Sequence, residues 1–148
     1  MRSFASGFLK GQSSLELFVT LGAVIAFTIP VLFLLLSVTS IGYEDTSKAQ
    51  ADASARTLAD TMNSVYAMGP GAVREVLLNV PPSTETLYAS DGEVVVRIKT
   101  SGGTFDAAAP TIATIAPVSP IQKKSGLFRL IVRANPTGEV EIIDPNAS

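Results

Sequence analysis

The side chains that could do chemistry in this chain are few, and their spacing decides what chemistry is open to them. There is no His and no Cys among the 148 residues. A His-based catalytic triad, a Cys nucleophile, a zinc site and a disulfide framework are therefore all excluded within the chain. Ser125 stands beside Lys124, the residue types of a Ser–Lys hydrolase, but neighbours on a strand point to opposite faces. Glu139 and Glu141 resemble a catalytic carboxylate pair, yet two residues apart on a strand they form a solvated face. Lys123, Lys124, Arg129 and Arg133 could form a small basic patch. The sequence thus predicts no enzyme, no cofactor and no metal. Lys10-Gly11-Gln12-Ser13-Ser14-Leu15-Glu16 sets a basic residue, a small residue and then polar residues directly before a long apolar run, so that if the peptide bond between Gly11 and Gln12 is cut the apolar helix stays in the mature protein. Gly11 has no side chain to hinder a protease approaching the backbone there.

The elements that must position that bond are legible. No charge occurs from Leu17 to Tyr43. This stretch carries Leu17, Phe18, Val24, Phe27, Leu32, Phe33, Leu34, Leu35 and Leu36, and is long enough to span a bilayer, which takes about 20 apolar residues as a helix. A helix that is apolar all round would find too little cover inside so small a soluble protein. Pro30 lies within it and predicts a kink or local opening, since it lacks one donor and crowds the preceding turn. Arg2 and Lys10 precede the run with no acid among the first eleven residues, which places the leader in the cytoplasm and the bulk of the chain outside. Without those two residues, nine basic side chains face thirteen acidic ones, a net charge of −4, and no nucleic-acid partner is expected.

A second helical stretch is predicted over residues 45–68. Ala51, Ala55, Leu58, Met62 and Val65 mark an apolar stripe that should dock on the C-terminal part of the chain, and Lys48, Asp52, Arg56 and Asp60 form a charge-alternating row. Gly69-Pro70-Gly71 ends the helix. Beyond it the composition turns β-rich, with strands expected at 73–80, 86–89, 93–100, 112–118 (broken at Pro117), 127–134 and 139–143. Asp91-Gly92 marks a hairpin; Ser101-Gly102-Gly103 and Asn135-Pro136-Thr137-Gly138 mark turns. The fold class expected is α+β: a long N-terminal hydrophobic helix, then a small antiparallel sheet or sandwich. The uncharged stretch 107–122 reads equally as an intersubunit surface or as strand and loop packed within the domain. Asn146-Ala147-Ser148 is a weak glycosylation sequon, and Asn135-Pro136-Thr137 is disqualified by its proline.

Gln12, Ser14 and Glu16, directly after Lys10-Gly11 and before the apolar run, resemble the class III signal peptide of archaeal type IV pilins. That family carries Gln-x-Ser-x-Glu-x-x-x-Leu at this place; the last position here is Thr20, with Leu21 next. The resemblance implies a leader of residues 1–11, cut between Gly11 and Gln12 by a membrane-embedded prepilin peptidase. Lys10, Gln12, Ser14 and Glu16 would be its recognition residues. It implies a helix over residues 12–68, about 85 Å long at 1.5 Å per residue. Residues 17–43 would span the membrane in the precursor and form the filament core after assembly. Residues 72–148 would be an extracellular β-rich domain. The partners implied are further copies of the chain, the peptidase, and an assembly platform with its ATPase. The product would be a surface filament, adhesion its use. The competing reading is an uncleaved, single-pass membrane protein with an extracellular binding domain. Processing after Gly11 separates the two.

Overall fold

The computed structural model describes residues 6–117 and 119–146, with side chains for 14–39, 42–117 and 119–146. Helix α1 (Ser6–Met68) is followed by seven strands: β1 (Val73–Val80), β2 (Thr84–Ser90), β3 (Glu93–Thr100), β4 (Gly103–Pro110), β5 (Ile121–Gln122), β6 (Gly126–Ala134) and β7 (Val140–Ile143). The chain is thus α+β, a long N-terminal helix followed by two antiparallel sheets. It divides into two compact units, one ending at Gly42 and the other beginning at Tyr43.

The second unit contains every strand. One sheet has the order β1-β6-β7, the other β4-β3-β2-β5. In the first, β1 runs antiparallel to β6 from Val73 opposite Arg133 to Val80 opposite Gly126. In the second, β3 and β4 pair from Glu93 opposite Pro110 to Thr100 opposite Gly103. Alternation sets which side chains enter the core: Val94, Val96 and Ile98 from β3, Leu130 and Val132 from β6, Val140 and Ile142 from β7. The helix supplies Ala51, Ala55, Leu58, Met62 and Val65 to the same core, the stripe expected from the sequence. Alanine on a helix lets the sheets approach closely at little conformational cost. Leu58 and Met62 fill the space between them.

Polar contacts fix how the helix lies on the sheets. Ser54 Oγ donates to the Asn79 carbonyl at 2.8 Å, and Gln50 Nε2 donates to the same oxygen at 3.1 Å. Asn63 Oδ1 accepts from Thr111 Oγ1 at 2.7 Å and from the Ile112 N–H at 2.9 Å. At the near end, the Ser101 N–H donates to Glu44 Oε1 at 2.9 Å, and this hydrogen bonding holds the Glu44 carboxyl below its ordinary range. Gly69 and Gly71 have φ of +89° and +85°, the left-handed conformation that ends α1 at the place predicted.

Three expectations are corrected. Residues 112–117 form no strand; Ile115 makes a single parallel bridge to Val140, and Val118 lies outside the described residues. The prolines at 110, 117 and 120 interrupt the β-branched residues that suggested a strand there. The fourth strand instead begins at Gly103, within what reads as a turn, and runs through Asp106-Ala107-Ala108-Ala109. Finally, the row Lys48, Asp52, Arg56, Asp60 forms no ion pair among the described residues. Lys48 Nζ lies 5.8 Å from the centre of the Phe105 ring instead, a cation–π distance.

Candidate functional site

In the first unit, the described side chains, those of residues 14–39, are all exposed on the helix. Leu17, Phe18, Val24, Leu32, Phe33, Leu34, Leu35 and Leu36 are all more than half exposed, and Phe27 reaches 78%. A soluble protein exposes apolar residues singly; a continuous exposed sleeve of this size marks a surface made for lipid or for another protein. By length and composition the helix can cross a membrane. It runs unbroken through Pro30.

Four hydroxyls of this segment, those of Thr20, Thr28, Ser37 and Thr39, are bonded within the helix itself. Thr20 Oγ1 donates to the Glu16 carbonyl at 2.8 Å and Thr28 Oγ1 to the Val24 carbonyl at 2.7 Å. Ser37 Oγ donates to the Phe33 carbonyl at 2.9 Å and Thr39 Oγ1 to the Leu35 carbonyl at 2.8 Å. An unsatisfied polar atom costs several kcal/mol in hydrocarbon, so this bonding makes the residues compatible with an apolar surrounding. Thr28 stands two residues before Pro30, which lacks the N–H that the Ala26 carbonyl would accept.

The expected processing residues fall at the start of α1. Gly11 and Gln12 are in its helical backbone, while the side chains of Lys10 and Gln12 lie outside the described residues. Ser14 and Glu16 are exposed. Arg2 lies outside the described residues, as do Ala147 and Ser148, so only Asn146 of the sequon is seen; its N–H donates to Asp144 Oδ1 at 2.9 Å.

Several charged candidates of the second unit are held in ion pairs. Arg129 meets Glu75 at 3.4 Å, Arg133 pairs with Glu141, and Lys124 meets Asp144 at 2.7 Å. Burial pushes the Asp144 carboxyl up, but hydrogen bonds from Lys124 and the Asn146 N–H, with the lysine charge, outweigh it and leave the group below its ordinary range. Arg97 and Asp106 form two bonds of 2.7 Å across β3 and β4, and the arginine holds the Asp106 carboxyl low. Three of the four basic residues that could have formed a patch, Lys124, Arg129 and Arg133, are thus paired with acids. In the uncharged stretch 107–122, Ala107, Ala109, Ala113 and Ala116 point into the second unit's interior while Ile112 is exposed. The packed reading holds for those alanines.

Sequence reasoning missed a cleft at the end of α1, formed by Tyr66, Gly69, Pro70, Thr114, Thr137 and Glu139. These residues come from three separate segments, and no spacing in the chain links them. No protein-family model, no curated protein and no solved structure matches this chain.

Proposed function

We propose that this chain is the precursor of a pilin, a structural subunit of an archaeal type IV pilus-like surface filament. The observation that carries the reading is the exposed apolar sleeve of residues 17–36 on a helix whose later part is the buried element of a folded domain. In the precursor the sleeve sits in lipid, with Lys10 on the cytoplasmic side and the β-rich unit outside. A prepilin peptidase cuts between Gly11 and Gln12. Glycine is a poor helix former, by about 1 kcal/mol relative to alanine, so the helix start opens there most readily for a protease. After the cut, lipid contacts are exchanged for contacts between helices of successive copies. Each buried Leu, Ile, Val or Phe contributes about 1.5–3 kcal/mol relative to exposure in water. Such head-to-tail contacts do not close on themselves, which is the symmetry of a filament. Glu16, at the apolar edge, is stable in that core only if paired, and the new amine at Gln12 of a neighbouring copy is a suitable partner.

The test is co-expression with an archaeal prepilin peptidase, followed by intact mass, N-terminal sequencing and electron microscopy. The expected product begins at Gln12, keeps the apolar helix, and forms filaments. A chain that still begins at Met1, beside a known pilin that is cut in the same cells, would overturn the reading in favour of an uncleaved membrane-anchored domain.

A further inference from the structure

The turn that ends α1 and the turn that precedes β7 meet around a cleft of about 400 Å³. Clefts that hold small molecules fall in the range of about 300–1,000 Å³. The cleft lies at the far end of the second unit's helix, about 35 Å along it from Tyr43 at 1.5 Å per residue.

Three properties restrict what it can hold. One is an aromatic wall: Tyr66 is 38% exposed and its hydroxyl has no partner among the described residues. Another is a fixed carboxylate. Asn135 Nδ2 donates to Glu139 Oε2 at 3.1 Å, while Asn135 Oδ1 accepts from the N–H groups of Thr137 at 3.1 Å and Glu139 at 2.9 Å. Glu139 is thereby held in place with its second oxygen accepting no hydrogen bond among the described residues. The last is the sign of the field. The cleft sits at the C-terminal end of α1, the negative end of the helix dipole, and the last turn holds no basic residue. No Lys or Arg lines it.

A site with acceptors, hydroxyls and no cation disfavours anionic ligands and favours one rich in hydroxyl donors. A single aromatic wall is no cage for an ammonium group, which takes several rings, but it suits a ligand with one flat apolar face. A pyranose has both features, C–H groups on one face and hydroxyls at its rim. We propose that this cleft binds a neutral hexopyranoside, such as the terminal sugar of a surface glycan. Its hydroxyls donate to Glu139, and Thr114 supplies a further hydroxyl; the Thr137 hydroxyl, which already donates to Asn135 Oδ1 at 2.6 Å and lies 3.2 Å from Glu139 Oε2, serves only as an acceptor. The proposal gives the outer domain a ligand class under the filament reading, and it holds equally for an uncleaved anchored protein.

The test uses the full chain in detergent micelles, titrated with the methyl glycosides of glucose, galactose and mannose and followed by NMR. Methyl glucuronide is the acidic control. At least one neutral glycoside should shift the amides of Thr114 and residues 137–139, with a dissociation constant on the order of 1 mM, as expected for so small a ligand. The glucuronide should bind at least about tenfold more weakly. Tyr66→Ala should weaken binding about tenfold and Tyr66→Phe by less than about threefold, since the ring is retained. Glu139→Gln, which keeps an oxygen for Asn135, should weaken it about fivefold with unchanged circular dichroism. No shift with any neutral glycoside at about fifty times that concentration, shifts confined to other surfaces, or full binding by Tyr66→Ala would overturn the proposal. None of these outcomes depends on cleavage at Gly11, so the failure of one reading is distinguishable from that of the other.

Discussion

Two stretches of one helix obey opposite rules. Residues 17–36 are apolar on every side and use large side chains, Leu, Phe, Val and Ile, all exposed. Residues 45–68 are apolar on one side only and use small ones there, with Ala51, Ala55 and Ala59 buried beside Leu58 and Met62. The described side chains of the first stretch stand exposed. The second has two sheets close against it. Side-chain size reflects that difference: a helix that awaits partners from outside presents bulk, while a helix enclosed by its own fold must leave room.

The comparison breaks most visibly if a charge is put into the bulky stretch. Leu34→Asp should abolish membrane insertion and filaments, because an aspartate at the centre of a spanning helix costs about 2.5–3.5 kcal/mol on insertion scales. The β signal in circular dichroism should persist. Normal filaments from this variant would sink the assembly reading. Leu58→Ala, in the enclosed stretch, should do the reverse: lower the stability of the second unit by about 2–5 kcal/mol in thermal or denaturant melts, while membrane association is kept.

A smaller effect sharpens the contrast of size. Ala55→Leu should destabilise the second unit by about 1–3 kcal/mol through overpacking, whereas Ala26→Leu should leave its melting within about 0.5 kcal/mol of the parent. Equal melting of the two variants would mean that the helix does not pack as described. The smallest expected effect is electrostatic. Because Lys124 and the Asn146 N–H hold the folded Asp144 carboxyl below its unfolded value, the interaction stabilises above the ordinary carboxylate pKa. It is lost as pH falls through the lower folded value. Lys124→Ala should therefore lower the melting temperature at pH 7 more than under strongly acidic conditions; an equal drop at both would point to lost packing instead.

Periodicity and turn residues made much of this fold readable. The charge-free run, the stripe from Ala51 to Val65, the glycines after Met68 and the alternation of Val94, Val96 and Ile98 each obey local rules. β4 was not readable, because Gly103, Ala107, Ala108, Ala109 and Pro110 are poor strand formers, and their pairing with β3 is what makes them one. The opposite error at residues 112–118 has the same root: β-branched residues look like a strand until nearby prolines leave pairing to a single bridge, Ile115 to Val140. Contacts such as Ser54 to Asn79 and Asn63 to Thr111 join segments far apart in the chain, and local patterns carry no trace of them. The residues proposed for peptidase recognition were legible because they are contiguous. Those around Tyr66 and Glu139 were not, because only folding brings them together.

The hydroxyls of Thr20, Thr28, Ser37 and Thr39 have a consequence for traffic between environments. Each is bonded to a carbonyl of its own helix, so this set of bonds asks nothing of the surroundings. These four hydroxyls are therefore satisfied equally well in lipid and in a protein interior. Leaving lipid for a bundle of like helices, or going back, breaks none of these bonds and strands none of these atoms. Under the filament reading proposed above, a copy that passes from the bilayer into the polymer keeps this set of bonds.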